Sequence, residues 1–170
     1  MIEMVVEGIG LDQNQRPLVL LRDVRKRLFV PIWIGPAEAY SIQMELESRQ
    51  PLRPMTHDLM NNVLKELGVK LRKITVSDCR DSIYYATLTL QIGDAVQEVD
   101  ARPSDAIALA LRANAAIFVS EKVANEMGIV LEEGQSEGDF LPGKASQQEI
   151  EQFEKLIEGV DLSAIEQDDK

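Results

Sequence analysis

Ile2, Met4 and Val6 alternate with Glu3 and Glu7, the two-residue period of a strand with one wet face. That strand ends near Gly8-Ile9-Gly10. The polar run Asp12 to Arg16 then predicts a loop, and Pro17 to Leu21 returns as a second strand. Leu28 to Ile34 is nearly all apolar and predicts a third strand, so the opening reads as a meander whose third member is central. Gly35-Pro36 breaks it and opens a helix with Glu38 in the first turn and Ala39, Ile42 and Leu46 as the inward stripe. A second helix follows Thr56, a predicted N-cap, carries Leu59, Met60, Val63, Leu64 and Leu67 on one side, and ends at Gly68. Val69 and Leu71 start a strand in one phase while Ile74 and Val76 continue in the other, which predicts a bulge near Arg72-Lys73. Its partner is Ile83 to Ile92, with Ala86, Leu88, Leu90 and Ile92 on one face; Gly93-Asp94 turns into Ala95 to Ala101.

The stretch Val99 to Arg112 organises the rest. A strand runs into Arg102, and Pro103, with its fixed φ and missing donor, suits the first position of a helix. All six residues from Ala106 to Leu111 are apolar, so this helix has no solvent face and belongs in the middle of the fold. Ala106, Ala110 and Ala113 form a strip of small side chains that lets another element approach closely. Ala116 to Ser120 predicts a further strand and Glu121 to Met127 a short helix. Strands and helices are grouped rather than alternating, so the expected class is α+β, with about seven strands in a mixed or antiparallel sheet and about four helices. Residues 1–130 form one domain. Residues 131–170 form an acidic tether followed by an amphipathic tail helix, in which Ser146 and Glu149 have capping-box spacing ahead of Ile150, Phe153, Leu156 and Ile157.

Composition narrows the function classes. The formal charge of −11 argues against a polyanion partner until its distribution is seen: residues 1–120 carry a net −1 and residues 121–170 a net −10. A nearly neutral body can hold a local basic site, and Arg22, Arg25, Lys26 and Arg27 are its densest positive cluster. Cys79 is the only cysteine and His57 the only histidine, so no disulfide and no closed zinc site can form within the chain; the thiol reads as a small buried side chain. No leader pattern opens the chain and no apolar run approaches the roughly 20 residues that cross a bilayer, so the expectation is a cytoplasmic protein without membrane contact. Gly8-Ile9-Gly10 lacks the third glycine of a dinucleotide fingerprint, no Walker-type loop is present, and nothing around Ser104 resembles a nucleophile elbow.

The remaining chemistry sits at three helix entrances: Glu38; Arg53 with His57 and Asp58; and Arg102 with Ser104 and Asp105. Helix N-termini attract a carboxylate or a phosphate equally through unpaired amides and the backbone dipole. The plain structural reading makes each acid a cap for its own helix and gives Arg102 a buried carboxylate to neutralise. The functional reading has the entrances converge, so that arginines bind phosphate, carboxylates hold Mg²⁺ or Mn²⁺, and the imidazole moves a proton.

Three spaced motifs separate these readings. Pro31-Ile32-Trp33-Ile34-Gly35 with Glu38-Ala39, then Arg53-Pro54 with Thr56-His57-Asp58-Leu59, then Arg102 to Ala110, follow the order found in bifunctional nucleases, which this chain resembles over about residues 1–130. The resemblance implies an α+β domain and a nuclease acting on both RNA and DNA. It places Glu38, His57, Asp58 and Asp105 in metal or proton chemistry and Arg53, Arg102 and Ser104 at the nucleic acid. The chain departs from the family pattern at Ser41, where alanine is usual, and at Ser48, where glycine is usual; the acidic tail lies outside the match. The alternative is a non-enzymatic regulatory or interaction module, or a small-anion sensor, on the same fold. A sheet edge or the tail helix is the expected contact in a homo-oligomer such as a dimer.

Overall fold

The computed structural model of the protein describes residues 1–12, 14–25 and 27–130. Among them the chain forms β1 (Ile2–Leu11), β2 (Pro17–Asp23), β3 (Leu28–Trp33), α1 (Pro36–Leu46), α2 (Thr56–Glu66), β4 (Val69–Arg80), β5 (Ile83–Ile92), β6 (Ala95–Ala101), α3 (Pro103–Ala113), β7 (Ala116–Val119), α4 (Glu121–Met127) and β8 (Ile129–Val130). The strands make one sheet in the order β6-β5-β4-β7-β1-β2-β3-β8. Every pair is antiparallel except β4 with β7. This is the mixed sheet of an α+β fold, with eight strands among the described residues instead of seven. The added strand, β8, has two residues and hence no period to read; it exists because Leu28 and Phe29 pair with Val130 and Ile129. The predicted acidic tether and tail helix of 131–170 lie outside the described residues.

The meander β1-β2-β3 forms as the alternation predicts, but β3 is not central: beyond it lies only β8. Its apolar run has another cause, since both of its faces are buried. Val19, Leu21, Val30 and Ile32 face the main core, while Leu18, Leu20 and Phe29 form a second cluster. Strand β1 continues past its glycines to Leu11, because a register shift between Val6 and Gly8 puts Ile9 back on the core side. The bulge expected at Arg72-Lys73 is present, and a second shift falls between Val76 and Asp78.

The sheet is strongly coiled. Tyr84 of β5 donates its hydroxyl to the Pro31 carbonyl of β3 at 3.0 Å, although five places separate those strands in the sheet order. The enclosed core gathers Ile42 of α1, Ile107 and Leu109 of α3, and Val123 of α4 against Leu71, Ile74, Val76, Leu88 and Leu90. Helix α3 is its centre, as the unbroken apolar run requires: Ala106, Ile107, Ala108 and Ala110 are fully buried. Burying a side chain such as Ile107 or Leu109 stabilises the fold by about 1.5–3 kcal/mol.

Helix α2 runs against its own amphipathicity. His57 and Asn61 are buried, whereas Leu59, Met60, Val63 and Leu67 are exposed; of the predicted inward residues Leu64 packs against the core. Thr56 is the first helical residue and not the cap, which is Met55. In α1, Ala39 and Ile42 are buried as predicted, but Leu46 is partly exposed and Ser41 is buried. Cys79 is half-buried and its pKa is raised, first by that burial and then by Glu126 and Asp78.

Candidate functional site

Three helices start with the same arrangement. The N-caps of α1, α2 and α3 are Gly35, Met55 and Arg102, none of which offers a capping side chain, and three residues beyond each stands an acid: Glu38, Asp58 and Asp105. An acid at this position folds back onto the N-cap amide or stays free to bond elsewhere. Asp58 folds back and accepts from the Met55 amide at 2.8 Å. Glu38 and Asp105 turn to each other's neighbourhood instead, where one guanidinium joins them.

Arg102 makes that junction. It donates to Asp105 in a fork, Nε to Oδ2 at 2.7 Å and Nη2 to Oδ1 at 3.0 Å, and its Nη2 lies 2.9 Å from Glu38 Oε1. Gly35 leaves room for the Glu38 carboxylate, since a Cβ there would overlap Oε2. The Arg102 side chain is 66% exposed, and its Nη1 has no partner among the described residues. On the inner side of Asp105, His57 Nε2 lies 3.1 Å from Oδ1, and His57 Nδ1 lies 2.8 Å from Ser41 Oγ. One continuous chain of polar contacts therefore runs from Ser41 through His57, Asp105 and Arg102 to Glu38, using side chains of α1, α2 and α3. Burial pushes the Asp105 pKa up, but the bonds from Arg102 and His57 outweigh it and hold the carboxyl below its usual value.

A second network lies beneath the first. Buried Arg112, near the end of α3, donates from Nε to Asp58 Oδ1 at 2.5 Å, from Nη2 to the Ser41 carbonyl at 3.1 Å and from Nη1 to the Ala108 carbonyl at 3.0 Å. Asn61 donates to the Arg112 carbonyl at 3.3 Å. Burial raises the Asp58 pKa; the Arg112 guanidinium and the Met55 amide reverse this and leave it lowered.

Of the residues predicted for the site, the structure joins Glu38, His57, Asp105 and Arg102 by direct contacts. Asp58 is held by Arg112 and Met55. Arg53 is exposed just ahead of α2 and makes no ion pair among the described residues, and Ser104 is buried in the first turn of α3 without a bond to the cluster. Arg112 was not singled out by the sequence as a site residue, and Ser41 stood out only as a departure from the family pattern. A signal existed for Arg112: an arginine ending a helix with no wet face has to be buried. Ser41 carried less, a small polar residue one place before Ile42.

Among the described residues no three His, Cys, Asp or Glu side chains are arranged to hold a metal ion. Glu38 and Asp105 come nearest, but a fixed cation, Arg102, bridges them, so the donor set does not fit Mg²⁺ or Mn²⁺ in this arrangement. Among the described residues the basic turn is committed only at Arg22. Arg22 pairs with Glu7 at 2.5 Å, and Asp23 shapes the hairpin by accepting the Arg27 and Leu28 amides, leaving Arg25 and Arg27 exposed. Tyr84 is taken up by Pro31, and Tyr85 lies under Arg80 at 5.2 Å. No helix among the described residues is long and apolar enough to cross a membrane.

Residues 19–132 match the family model of the bifunctional nuclease domain. Two proteins of Mycobacterium tuberculosis, from strains CDC 1551 and H37Rv and both named uncharacterised, are each 35% identical over 159 residues, covering 93% of this chain and 94% of theirs. A protein of Oryza sativa subsp. indica named bifunctional nuclease 1 is 24% identical over 115 residues, covering 66% of this chain and 35% of its own length.

Proposed function

The chain belongs to the bifunctional nuclease domain family, and from that premise we propose that it hydrolyses phosphodiester bonds in RNA and DNA at the cluster of Glu38, Arg102, Asp105 and His57. The observation that carries this reading is the posture of Arg102. Two carboxylates hold it in place while most of its side chain stays exposed and Nη1 has no partner among the described residues. A guanidinium fixed in this way receives a phosphate oxygen in a charge-assisted bond and stabilises charge that grows on it during displacement. Asp105, ionised at neutral pH and bonded to His57, is placed for proton chemistry at the same spot. Exposed Arg53 serves as a second phosphate contact at the entrance to α2. Asp58 works with Arg112 in the scaffold, and Ser104, with its side chain buried, is left out of the contact set. No step is routed through a metal ion.

The test compares wild type, Arg102→Ala and His57→Ala, purified identically, on single-stranded RNA and on duplex DNA. Each substitution is expected to lower cleavage by about 100-fold or more. Equal cleavage by all three preparations would trace the activity to a contaminant and end the nuclease reading. Binding to uncleaved substrate should weaken steeply with salt, because phosphate contacts release counterions.

One observation favours a second reading, a non-enzymatic module or anion sensor: every acid of the cluster already has a cationic or imidazole partner within the chain. That reading predicts thermal stabilisation by inorganic phosphate or a nucleotide, without turnover, in the same preparations.

A further inference from the structure

We infer that Ser41, His57 and Asp105 form a hydrogen-bonded relay that orients the Asp105 carboxylate at its working end, with Ser41 as the positioning residue that fixes the imidazole. The inference rests on the nuclease reading for the reaction it serves, but its geometry is independent of that reading.

Exposure rises along the relay. Ser41 is 3% exposed and His57 8%, whereas the Asp105 side chain is 29% exposed. Proton positions follow from the partners. An ionised carboxylate only accepts, so the contact at 3.1 Å requires the proton on His57 Nε2. A neutral imidazole then has a bare Nδ1. With the ring neutral, the Ser41 hydroxyl donates to Nδ1 across the 2.8 Å contact. Both ring nitrogens are thus engaged and neither is turned to water. Ser41 is also anchored through its own carbonyl, which accepts from Arg112 at 3.1 Å.

This order is the reverse of a serine-hydrolase triad, in which the hydroxyl stands at the open end and attacks. Here the hydroxyl is at the closed end and cannot reach a substrate. Asp105 is the partly exposed member, and its Oδ2, bonded to Arg102 Nε alone, keeps a lone pair. In hydrolysis the water oxygen bonds to phosphorus while the bond to the leaving oxygen breaks. The water's proton passes to Asp105 Oδ2, and the leaving oxygen keeps the electron pair and takes a proton from solvent. His57 and Ser41 hold the carboxylate in place throughout.

Because His57 is the only histidine, nitrogen-15 NMR of the full chain reports its two ring nitrogens without assignment. Wild type at neutral pH should show a protonated Nε2 and a bare Nδ1. Ser41→Ala, which loses only the hydroxyl, should keep the Nε2 proton that Asp105 demands but shift the resonance of the bare Nδ1, which loses its hydrogen bond, and slow cleavage about tenfold with KM unchanged, whereas Asp105→Asn should slow it about a thousandfold. A wild-type proton on Nδ1 overturns the relay, as does an unchanged imidazole signature in Ser41→Ala. Loss of cleavage in Ser41→Ala as deep as in Asp105→Asn would make Ser41 a nucleophile and also overturn it. If no preparation cleaves, the nuclease reading fails while the wild-type spectrum still decides the relay; it decides equally if Ser41→Ala does not fold.

Discussion

Arg112 ties the helices of the site together with one side chain. It reaches Asp58 on α2 and the Ser41 carbonyl on α1 from its own place on α3. A buried guanidinium is tolerable only with such partners, and removing it strands the Asp58 carboxylate. Arg112→Ala is therefore expected to cost about 3–5 kcal/mol, read by urea denaturation. Arg112→Lys should recover little of this, since one ammonium cannot reproduce the separate bonds to Asp58 and to the Ser41 and Ala108 carbonyls together. The same pair sets an acid dependence. The folded Asp58 pKa lies below its ordinary 3.8, so its contribution is complete above that value and is lost as pH falls through the folded value. Asp58→Asn should thus be less stable than wild type at neutral pH, with the gap closing as pH drops below 3.8. A gap constant across that range would show that charge on Asp58 contributes nothing.

At the scale of elements, α2 and α3 make opposite uses of their sequences. Most of the apolar side of α2 faces outward, with Leu64 packed on the core, because its buried side carries polar groups of the two networks, His57, Asn61 and the partner of Arg112. Leu59→Gln and Val63→Gln are accordingly expected to change folding stability by no more than about 0.5 kcal/mol, as surface positions do. A loss of several kcal/mol would mean that this side is buried after all. In α3 the small side chains are a packing requirement. Ala110 is fully buried where α3 meets its neighbours, so Ala110→Leu should cost about 1–3 kcal/mol by overpacking, visible as a lower Tm.

Over the whole molecule, coiling of the sheet brings β5 against β3 through Tyr84 and Pro31. Burial, with a smaller part from Cys79, pushes the Tyr84 pKa from 10.0 to about 12. A raised value in the folded state means that stability is complete below 10.0 and declines as pH rises toward 12. Tyr84→Phe should lose about 1 kcal/mol at neutral pH through the missing hydrogen bond. It should also lack the share of the alkaline decline that belongs to this phenol. Identical alkaline profiles for the two proteins would refute the assignment.

The linear order of residues was enough for what short-range geometry controls. Alternation marked the strands, Pro103 marked the start of α3, the phase change at Arg72-Lys73 marked a bulge, and the unbroken run from Ala106 marked the core helix. It also marked Glu38, His57, Arg102 and Asp105 as ionisable groups at helix entrances. It did not say which side of α2 faces inward, that β3 lies beside a two-residue β8, or that Ser41 and Arg112 make contacts with His57 and Asp58. Periodicity records relations among neighbours within one element and is blind to rotation of that element about its axis. The bonds from His57 to Asp105 and from Arg112 to Ser41 span 48 and 71 residues, so only the packing of helices against the coiled sheet could select those partners.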